Sequence, residues 1–339
     1  MNLIKDIWLI TNYSCNNRCK WCYTSDIGFP VDNYMPLNYA LEVMEEMRKN
    51  GVAKCTIIGG EPTLYPNLKE ILRFGSNIGL KMKVVTNAVL LNNEKFLKEL
   101  IQSGLSLLAI SIHGIESQVY QQNTQTNNLD KVLGAIRNCN KLGLEYVTLT
   151  TINTLNKDSI YDTSLFLSDF GVNNIVYNIA VPTLGQNYSL TPSEIAKIIE
   201  NNYQKLKLKG IKVGFYASIP LCLFNRDILN EMLNDEYLIP LSHGGCNIYD
   251  ASGFAFDPNG SIIPCCKQTH NILLDTMDKG GHFIYKNNFM ELWHKIRNQF
   301  GPQSYQYPHK RCVTCELIKY CIGGCKLFWQ YYSISDYIK

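Results

Sequence analysis

Near its start the chain reads Ile7-Trp8-Leu9-Ile10-Thr11-Asn12-Tyr13-Ser14-Cys15-Asn16-Asn17-Arg18-Cys19-Lys20-Trp21-Cys22, a short apolar run followed at once by a cysteine loop. The run has the length and composition of a buried strand. The cysteines are spaced C-x3-C-x2-C. Three thiolates this close can grip three irons of a 4Fe–4S cube and leave the fourth iron without a protein ligand. Most clusters that only carry electrons are held by four cysteines. The vacancy points to chemistry at the iron, on a loop at the C-terminal end of the first strand.

Outward from that loop, strand and helix patterns alternate. Apolar runs rich in Ile, Val, Leu or Thr predict strands at 6–12, 53–58, 81–86, 105–111, 145–151 and 172–178. Helical patterns lie between them near 37–49, 66–78, 92–102, 128–142 and 156–169. Pro36 precedes the first helix and Gly51 follows it, as start and stop signals. Strands joined by crossover helices imply a right-handed parallel sheet. A complete barrel needs eight such units. Six imply an open, partial (β/α)6 barrel.

In such a sheet ligands bind at the carboxyl ends of the strands. The polar residues collect there: Gly59-Gly60-Glu61-Pro62 after strand 2, Thr86-Asn87 after strand 3, Ser111 and His113 after strand 4, Thr151 and Asn153 after strand 5. A Gly-Gly pair lets backbone approach a ligand closely. Glu61, held extended before Pro62, can accept bonds from an amino group. A Gly-Gly-x-Pro turn is by itself an ordinary loop; convergence on one rim gives these pieces weight.

Composition agrees. Thirteen cysteines in 339 residues are an odd number in a long chain, and Met1-Asn2-Leu3-Ile4-Lys5-Asp6 does not read as a signal peptide. A secreted disulfide framework fits poorly, and a reducing cytoplasm is the expected setting. No apolar stretch approaches the roughly 18–20 residues of a membrane span. With 32 basic and 29 acidic residues the charge is balanced, and the basic face of a nucleic-acid binder is missing.

The cysteine triplet, Trp21 before its third cysteine, Gly59-Gly60-Glu61-Pro62 and the strand order resemble the radical S-adenosylmethionine superfamily over roughly residues 6–180. The resemblance implies that S-adenosylmethionine binds the open iron of a cluster held by Cys15, Cys19 and Cys22. It implies that Gly59, Gly60, Glu61 and Pro62 contact the methionine amino group and that Trp21 lies near the adenine. Asn87, Ser111 and Asn153 would serve ribose, carboxylate or adenine. Reductive cleavage would yield a 5′-deoxyadenosyl radical that takes a hydrogen from substrate, so no side chain beyond the cluster ligands is assigned a catalytic role. Relatives often carry an arginine after strand 4 for the cofactor carboxylate. Here Tyr120-Gln121-Gln122-Asn123 stands in its place, and Asn123 can donate a bond but not a bidentate charged pair.

The last third changes character. A helical stretch near 192–208 and a short strand at 211–216 lead to Cys246, then to a strand, an Asp257-Pro258-Asn259-Gly260 turn and a strand ending at Cys265. Such a hairpin brings Cys246 and Cys265 together. Cys312, Cys315, Cys321 and Cys325 follow as C-x2-C-x5-C-x3-C. Paired cysteines can also be a zinc knuckle. The tail resembles the SPASM extension, which carries auxiliary 4Fe–4S clusters. The organisation expected is a radical core at 1–180, a bridge at 181–245 and a cysteine-rich auxiliary-cluster domain at 246–339. By that resemblance Cys246, Cys265 and Cys325 serve a first auxiliary cluster, and Cys312, Cys315 and Cys321 a second, so one or two auxiliary clusters are expected. Each lacks a fourth thiolate; Asp336 is a candidate oxygen ligand for the second. Cys222, in the bridge, is placed in reach of the first cluster. Cys266 should face away from Cys265 if the strand continues. Cys55 and Cys139 read as small buried apolar residues.

The SPASM resemblance favours a ribosomally made peptide as substrate, with a crosslink or oxidation installed. Only 14 residues precede Cys15, so a leader-binding domain of the kind many relatives carry is not expected there; recognition falls to the core or to a separate leader-binding protein. A flavodoxin or ferredoxin should supply electrons, and Lys310, Arg311 and Lys319 beside the tail cysteines offer it a docking patch. Peptide epimerisation, a dehydrogenase acting on a small molecule, and a non-catalytic iron–sulfur or zinc protein are the alternatives.

Overall fold

The computed structural model describes residues 4–182, 185–216, 218–239, 246, 253–299 and 306–337. Six strands carry the first half: β1 (Asp6–Ile10), β2 (Lys54–Ile58), β3 (Lys81–Thr86), β4 (Leu105–Ser111), β5 (Tyr146–Ile152) and β6 (Ile175–Ile179). Each is parallel to the next, from Asp6 opposite Lys54 to Ile152 opposite Ile179. Between them run α1 (Leu37–Lys49), α2 (Leu68–Asn77), α3 (Glu94–Gln102), α4 (Ser117–Thr124), α5 (Leu129–Leu142) and α6 (Ile160–Asp169). The fold is an α/β partial barrel, as expected.

Local sequence accounts for the helices. In α1 the residues Tyr39, Ala40, Val43, Met44 and Met47 are all fully buried, a spacing that lines one helical stripe. Burying each larger side chain is worth about 1.5–3 kcal/mol. Pro36 precedes the helix, and Gly51, at φ +87°, turns the chain out of it. The next long helix, α7 (Pro192–Leu208), starts on a capping box in which the Thr191 hydroxyl accepts from Glu194 N and the Glu194 carboxylate accepts from Thr191 N.

The sheet does not stop at β6. β7 (Val213–Tyr216) and β8 (Leu238–Ile239) extend one side. On the other, β9 (Gly253–Phe256), β10 (Ser261–Ile263) and β11 (Leu274–Asp275) complete the order β11-β10-β9-β1-β2-β3-β4-β5-β6-β7-β8. The hairpin is the one expected: Ile262 pairs with Phe256, and the Asp257 carboxylate caps the turn by accepting from Asn259 N and Ser261 N at 3.0 and 2.7 Å. What the sequence did not announce is that β9 pairs parallel to β1, with Asp6 opposite Gly253. β1 therefore stands between the Gly-Gly turn of β2 and the Cys265 hairpin, and its cysteine loop faces both.

A buried strap locks this arrangement. The Tyr39 hydroxyl meets Thr276 Oγ1 at 2.5 Å, and the Glu42 carboxylate accepts from Phe283 N at 2.8 Å and Lys286 Nζ at 2.6 Å. The tail is thus tied to the outer helix of the first βα unit. No helix among the described residues is long and apolar enough to cross a membrane.

Candidate functional site

The cysteine loop is clasped from two sides. On one, Gly60 N donates to Asn12 O and Glu61 N donates to Ser14 O, each at 2.8 Å, while Asn12 Nδ2 reaches Glu61 O at 3.1 Å. The two chains run so close that a Cβ on Gly59 would stand 2.4 Å from Asn12 O, and one on Gly60 2.2 Å from Ser14 O. The glycines are needed for the approach of the loop's own backbone, which replaces the expected reason of access to a ligand. On the other side Arg18 N and Lys20 N donate to Thr124 O and Asn123 O at the end of α4, at 2.9 and 3.2 Å. Tyr23 closes the loop by donating its hydroxyl to Gly59 O at 2.8 Å.

Cys15, Cys19 and Cys22 line a cavity of about 810 Å³ at the carboxyl ends of the strands, a size suited to a bound small molecule. Burial pushes all three thiols up, Cys15 to about 12, and the nearby Glu61 carboxylate and Cys22 add to the rise at Cys15. Buried sulfurs of this kind stay ionised only against a strong cation. Among the described residues no three Cys, His, Asp or Glu groups converge tightly enough to share a single metal ion; a cube asks less, because it spreads its thiolates over separate irons. The donor set therefore fits an iron–sulfur cube.

Glu61 is almost wholly buried. Its Oε1 accepts from Thr63 N, Thr63 Oγ1 and Thr86 Oγ1, and its Oε2 accepts from Asn87 N at 2.7 Å. A carboxylate has about four acceptor positions, two on each oxygen; three donors crowd Oε1 and only Asn87 N meets Oε2. The carboxylate thus splices the end of β3 to the Gly-Gly turn, and Glu61 also lines the cavity. Asn87, so placed, lines the cavity, and its Nδ2 reaches Asn16 Oδ1 at 2.6 Å and Cys15 Sγ at 3.7 Å.

Trp21, Gly59, Gly60 and Ser111 line the cavity as well. The Trp21 ring packs edge-on against His113, with centroids 4.6 Å apart. Burial lowers His113 to about 3, so its ring is neutral, and Nδ1 accepts from Thr151 N at 3.1 Å. Three expected contacts fall elsewhere. Asn123 and Asn153 are fully buried and bond to one another, Nδ2 of Asn153 to Oδ1 of Asn123 at 2.9 Å, behind the wall. Their geometry supports the loop through the Asn123 carbonyl. Pro62 begins a short 3-10 turn and does not line the cavity. Asn12 and α4, which the sequence reading passed over, hold the site; the signal available for Asn12 was only its place between strand and triplet.

The tail completes the cavity. Cys246, Cys265, Cys266 and Cys325 line it too, and Cys266 lies within electrostatic reach of Cys22. β10 ends at Ile263, so strand alternation no longer governs Cys265 and Cys266. Both line the cavity, and their closeness lowers Cys265 and raises Cys266. Cys312, Cys315 and Cys321 form a separate group, close enough that Cys321 and Cys315 help raise Cys312 and Cys315 helps raise Cys321. Cys222 joins this second group and not the first, contrary to expectation. The side chain of Asp336 lies outside the described residues. Cys55 and Cys139 are fully buried, and all thirteen cysteines are free thiols.

Comparison with known proteins agrees with this geometry. A "Probable GTP 3',8-cyclase" of Saccharolobus islandicus is 27% identical over 279 residues, covering 81% of this chain and 86% of the relative. Streptococcus suis SuiB bound to precursor peptide SuiA superposes with a TM-score of 0.70 at 16% identity, covering 96% of this chain and 73% of that one. Native anSMEcpe with bound AdoMet and Cp18Cys peptide gives 0.72 at 17% identity, covering 98% and 92%. The profile of the radical SAM superfamily matches residues 9–167, which hold the triplet and the turn that clasps it, and over that stretch the chain is similar to this superfamily.

Proposed function

We propose that this chain is a radical S-adenosylmethionine enzyme that oxidises or crosslinks a ribosomally made peptide, with iron–sulfur sites in its tail to receive the electron. When bound, a cube with S-adenosylmethionine on its open iron supplies a 5′-deoxyadenosyl radical that takes a hydrogen atom from substrate. The protein's own residues position and shield that chemistry. Cys15, Cys19 and Cys22 would hold the cube. Main-chain oxygens of Gly59 and Gly60 would accept from the methionine amine, Asn87 and Ser111 would bond the polar parts of the cofactor, and the Trp21 face would carry the adenine. Cys246, Cys265 and Cys325 would hold a first auxiliary cluster, and Cys312, Cys315 and Cys321 a second farther out.

One observation carries the peptide reading. The cavity is lined by two sets of thiols, and its described lining contains Lys83 and Lys267 but no arginine. A triphosphate is normally gripped by several cations, arginine above all. Lys83 is itself buried beside Asp6, with its ammonium disfavoured by that burial. An uncharged stretch of peptide suits these walls better. The peptide-bound SuiB and anSMEcpe folds support the same reading. A second reading, cyclisation of GTP, is favoured by the 27% identity to the archaeal cyclase over most of both chains.

The two separate in one experiment. Anaerobically reconstituted, dithionite-reduced protein is given S-adenosylmethionine with either GTP or a short peptide encoded beside its gene. Faster 5′-deoxyadenosine formation with the peptide, and a peptide product lighter by two hydrogens, supports the proposal. Stimulation by GTP alone overturns it in favour of the cyclase. A mass-neutral peptide carrying one deuterium from heavy water would mean epimerisation.

A further inference from the structure

We infer that Cys222 is the fourth ligand of the outer tail site, so that Cys222, Cys312, Cys315 and Cys321 together close a four-thiolate 4Fe–4S centre with no vacant iron. The inference rests on the proposed reading of the tail as an iron–sulfur region. It goes beyond that reading in naming a ligand from the bridge, ninety residues upstream of the C-x2-C-x5-C run.

The bridge and the cysteine run are stitched together at this point. Cys325 N donates to Ser218 O at 2.7 Å. Gly324 lies on the same segment: a Cβ there would stand 3.0 Å from Pro220 Cδ and 3.1 Å from Ser218 O. Leu221, one residue before Cys222, has its backbone N–H on the Cys321 side, near enough to oppose the rise of that thiol. Gly323, at φ +83°, turns the run so that its Cβ position lies 3.9 Å from Cys312 Sγ. Three stretches of chain, around 218–224, 308–315 and 321–325, thus converge on one spot.

Cys222 sits in the middle of the short 3-10 turn Leu221–Leu223, anchored by the fully buried Leu221. The residue is exposed, and its thiol lies within electrostatic reach of Cys321, Cys312 and Cys315. Those are the members of the outer group and of no other. A three-thiolate site leaves an iron for substrate or solvent, whereas four thiolates complete the coordination usual for electron carriers. The outer centre is therefore an electron relay. Cys321 and Cys325, four residues apart on one loop, connect it to the thiols that face the cavity, and the exposed Cys222 marks its surface end.

The test uses the full chain with Cys15, Cys19 and Cys22 replaced by Ala, which removes the catalytic cube from the signal. Iron, zinc and sulfide are measured after anaerobic reconstitution, with electron paramagnetic resonance of the reduced and briefly oxidised protein. In this background Cys222→Ala should lose between about one and about four irons per chain and convert or abolish one cluster signal, as Cys321→Ala does. Cys222→Ser should keep the iron and shift that signal, because an oxygen replaces a sulfur. Cys139→Ala should change nothing, and the metal-free variants should keep the parent's far-ultraviolet circular dichroism. A Cys222→Ala protein with the parent's iron and spectrum, beside a Cys321→Ala protein that has lost a cluster, overturns the inference and leaves the iron–sulfur reading of the tail standing. A tail that binds stoichiometric zinc and no iron overturns both.

Discussion

Gly60→Ala is the smallest change that should disable the site. The added methyl would stand 2.2 Å from Ser14 O, 2.5 Å from Tyr13 O and 2.7 Å from Ser14 C. All three are backbone atoms, so the clash cannot be relieved by rotating a side chain. The cysteine loop must move by about 1 Å to restore contact distance. That movement breaks the pair of 2.8 Å bonds from Gly60 N to Asn12 O and from Glu61 N to Ser14 O, and the 3.1 Å bond from Asn12 Nδ2 to Glu61 O. At roughly 1 kcal/mol net for each bond, with about 1–3 kcal/mol for overpacking, the cost is about 4–6 kcal/mol, concentrated on the loop that bears Cys15. Gly143→Ala is the control: its Cβ would meet nothing within 4 Å, and only its φ of +65° is strained, a cost of about 1–2 kcal/mol. Urea unfolding of the metal-free chains gives the stability difference. 5′-Deoxyadenosine formation after reconstitution should fall more than tenfold in Gly60→Ala, since about 1.4 kcal/mol of lost positioning is a factor of ten, and stay within a few-fold in Gly143→Ala. Wild-type stability and product in Gly60→Ala would refute the clasp as the device that positions the triplet.

Trp21→Ala should weaken S-adenosylmethionine binding by roughly five- to a hundredfold, the worth of about 1–3 kcal/mol of base–aromatic stacking; equilibrium binding to the reconstituted protein measures it, and unchanged affinity would remove the adenine from that wall. His113 is held neutral with its pKa lowered to about 3, so its contribution is present above its ordinary value near 6.5 and is lost as pH falls from there towards 3; thermal midpoints should show that acid slope, and His113→Gln should flatten it. Asp6 is raised by burial to about 6, which has the opposite sign: stability is lost as pH rises from about 4 through 6, by up to about 3 kcal/mol at 1.36 kcal/mol per unit. Asp6→Asn, which can keep the bond from Thr56 Oγ1, should therefore raise the midpoint at pH 7.5 and leave it unchanged near pH 4.

The elements that the sequence announced are those whose cause is local. β1 to β6 and their main helices follow from apolar period and from glycines such as Gly51, and the β9–β10 hairpin from its Asp-Pro-Asn-Gly turn. The triplet and Gly59-Gly60 were legible as motifs, though their physical task is backbone packing against Asn12 to Ser14, which no spacing records. α4 was passed over because Ser117–Thr124 is polar nearly throughout and offers no apolar stripe; tertiary contact makes it a helix and gives it the Lys20 and Arg18 amides to hold. Strand order put Asn153 at the end of β5, and the stretch that replaces the usual arginine offered Asn123, but the direction of such a side chain depends on its neighbours, and here the two satisfy each other behind the wall. Cys222 was placed in the bridge within reach of the first auxiliary cluster, whereas the fold brings it near the run ninety residues on.

The central claim is that Cys15, Cys19 and Cys22 hold the cube at which S-adenosylmethionine is cleaved. The direct measurement is 5′-deoxyadenosine made from S-adenosylmethionine by anaerobically reconstituted, dithionite-reduced protein, with and without all three cysteines changed to Ala. The account predicts product from the wild type, and from the variant none, although the variant keeps the iron of its tail. Cleavage by the variant at the wild-type rate would contradict it.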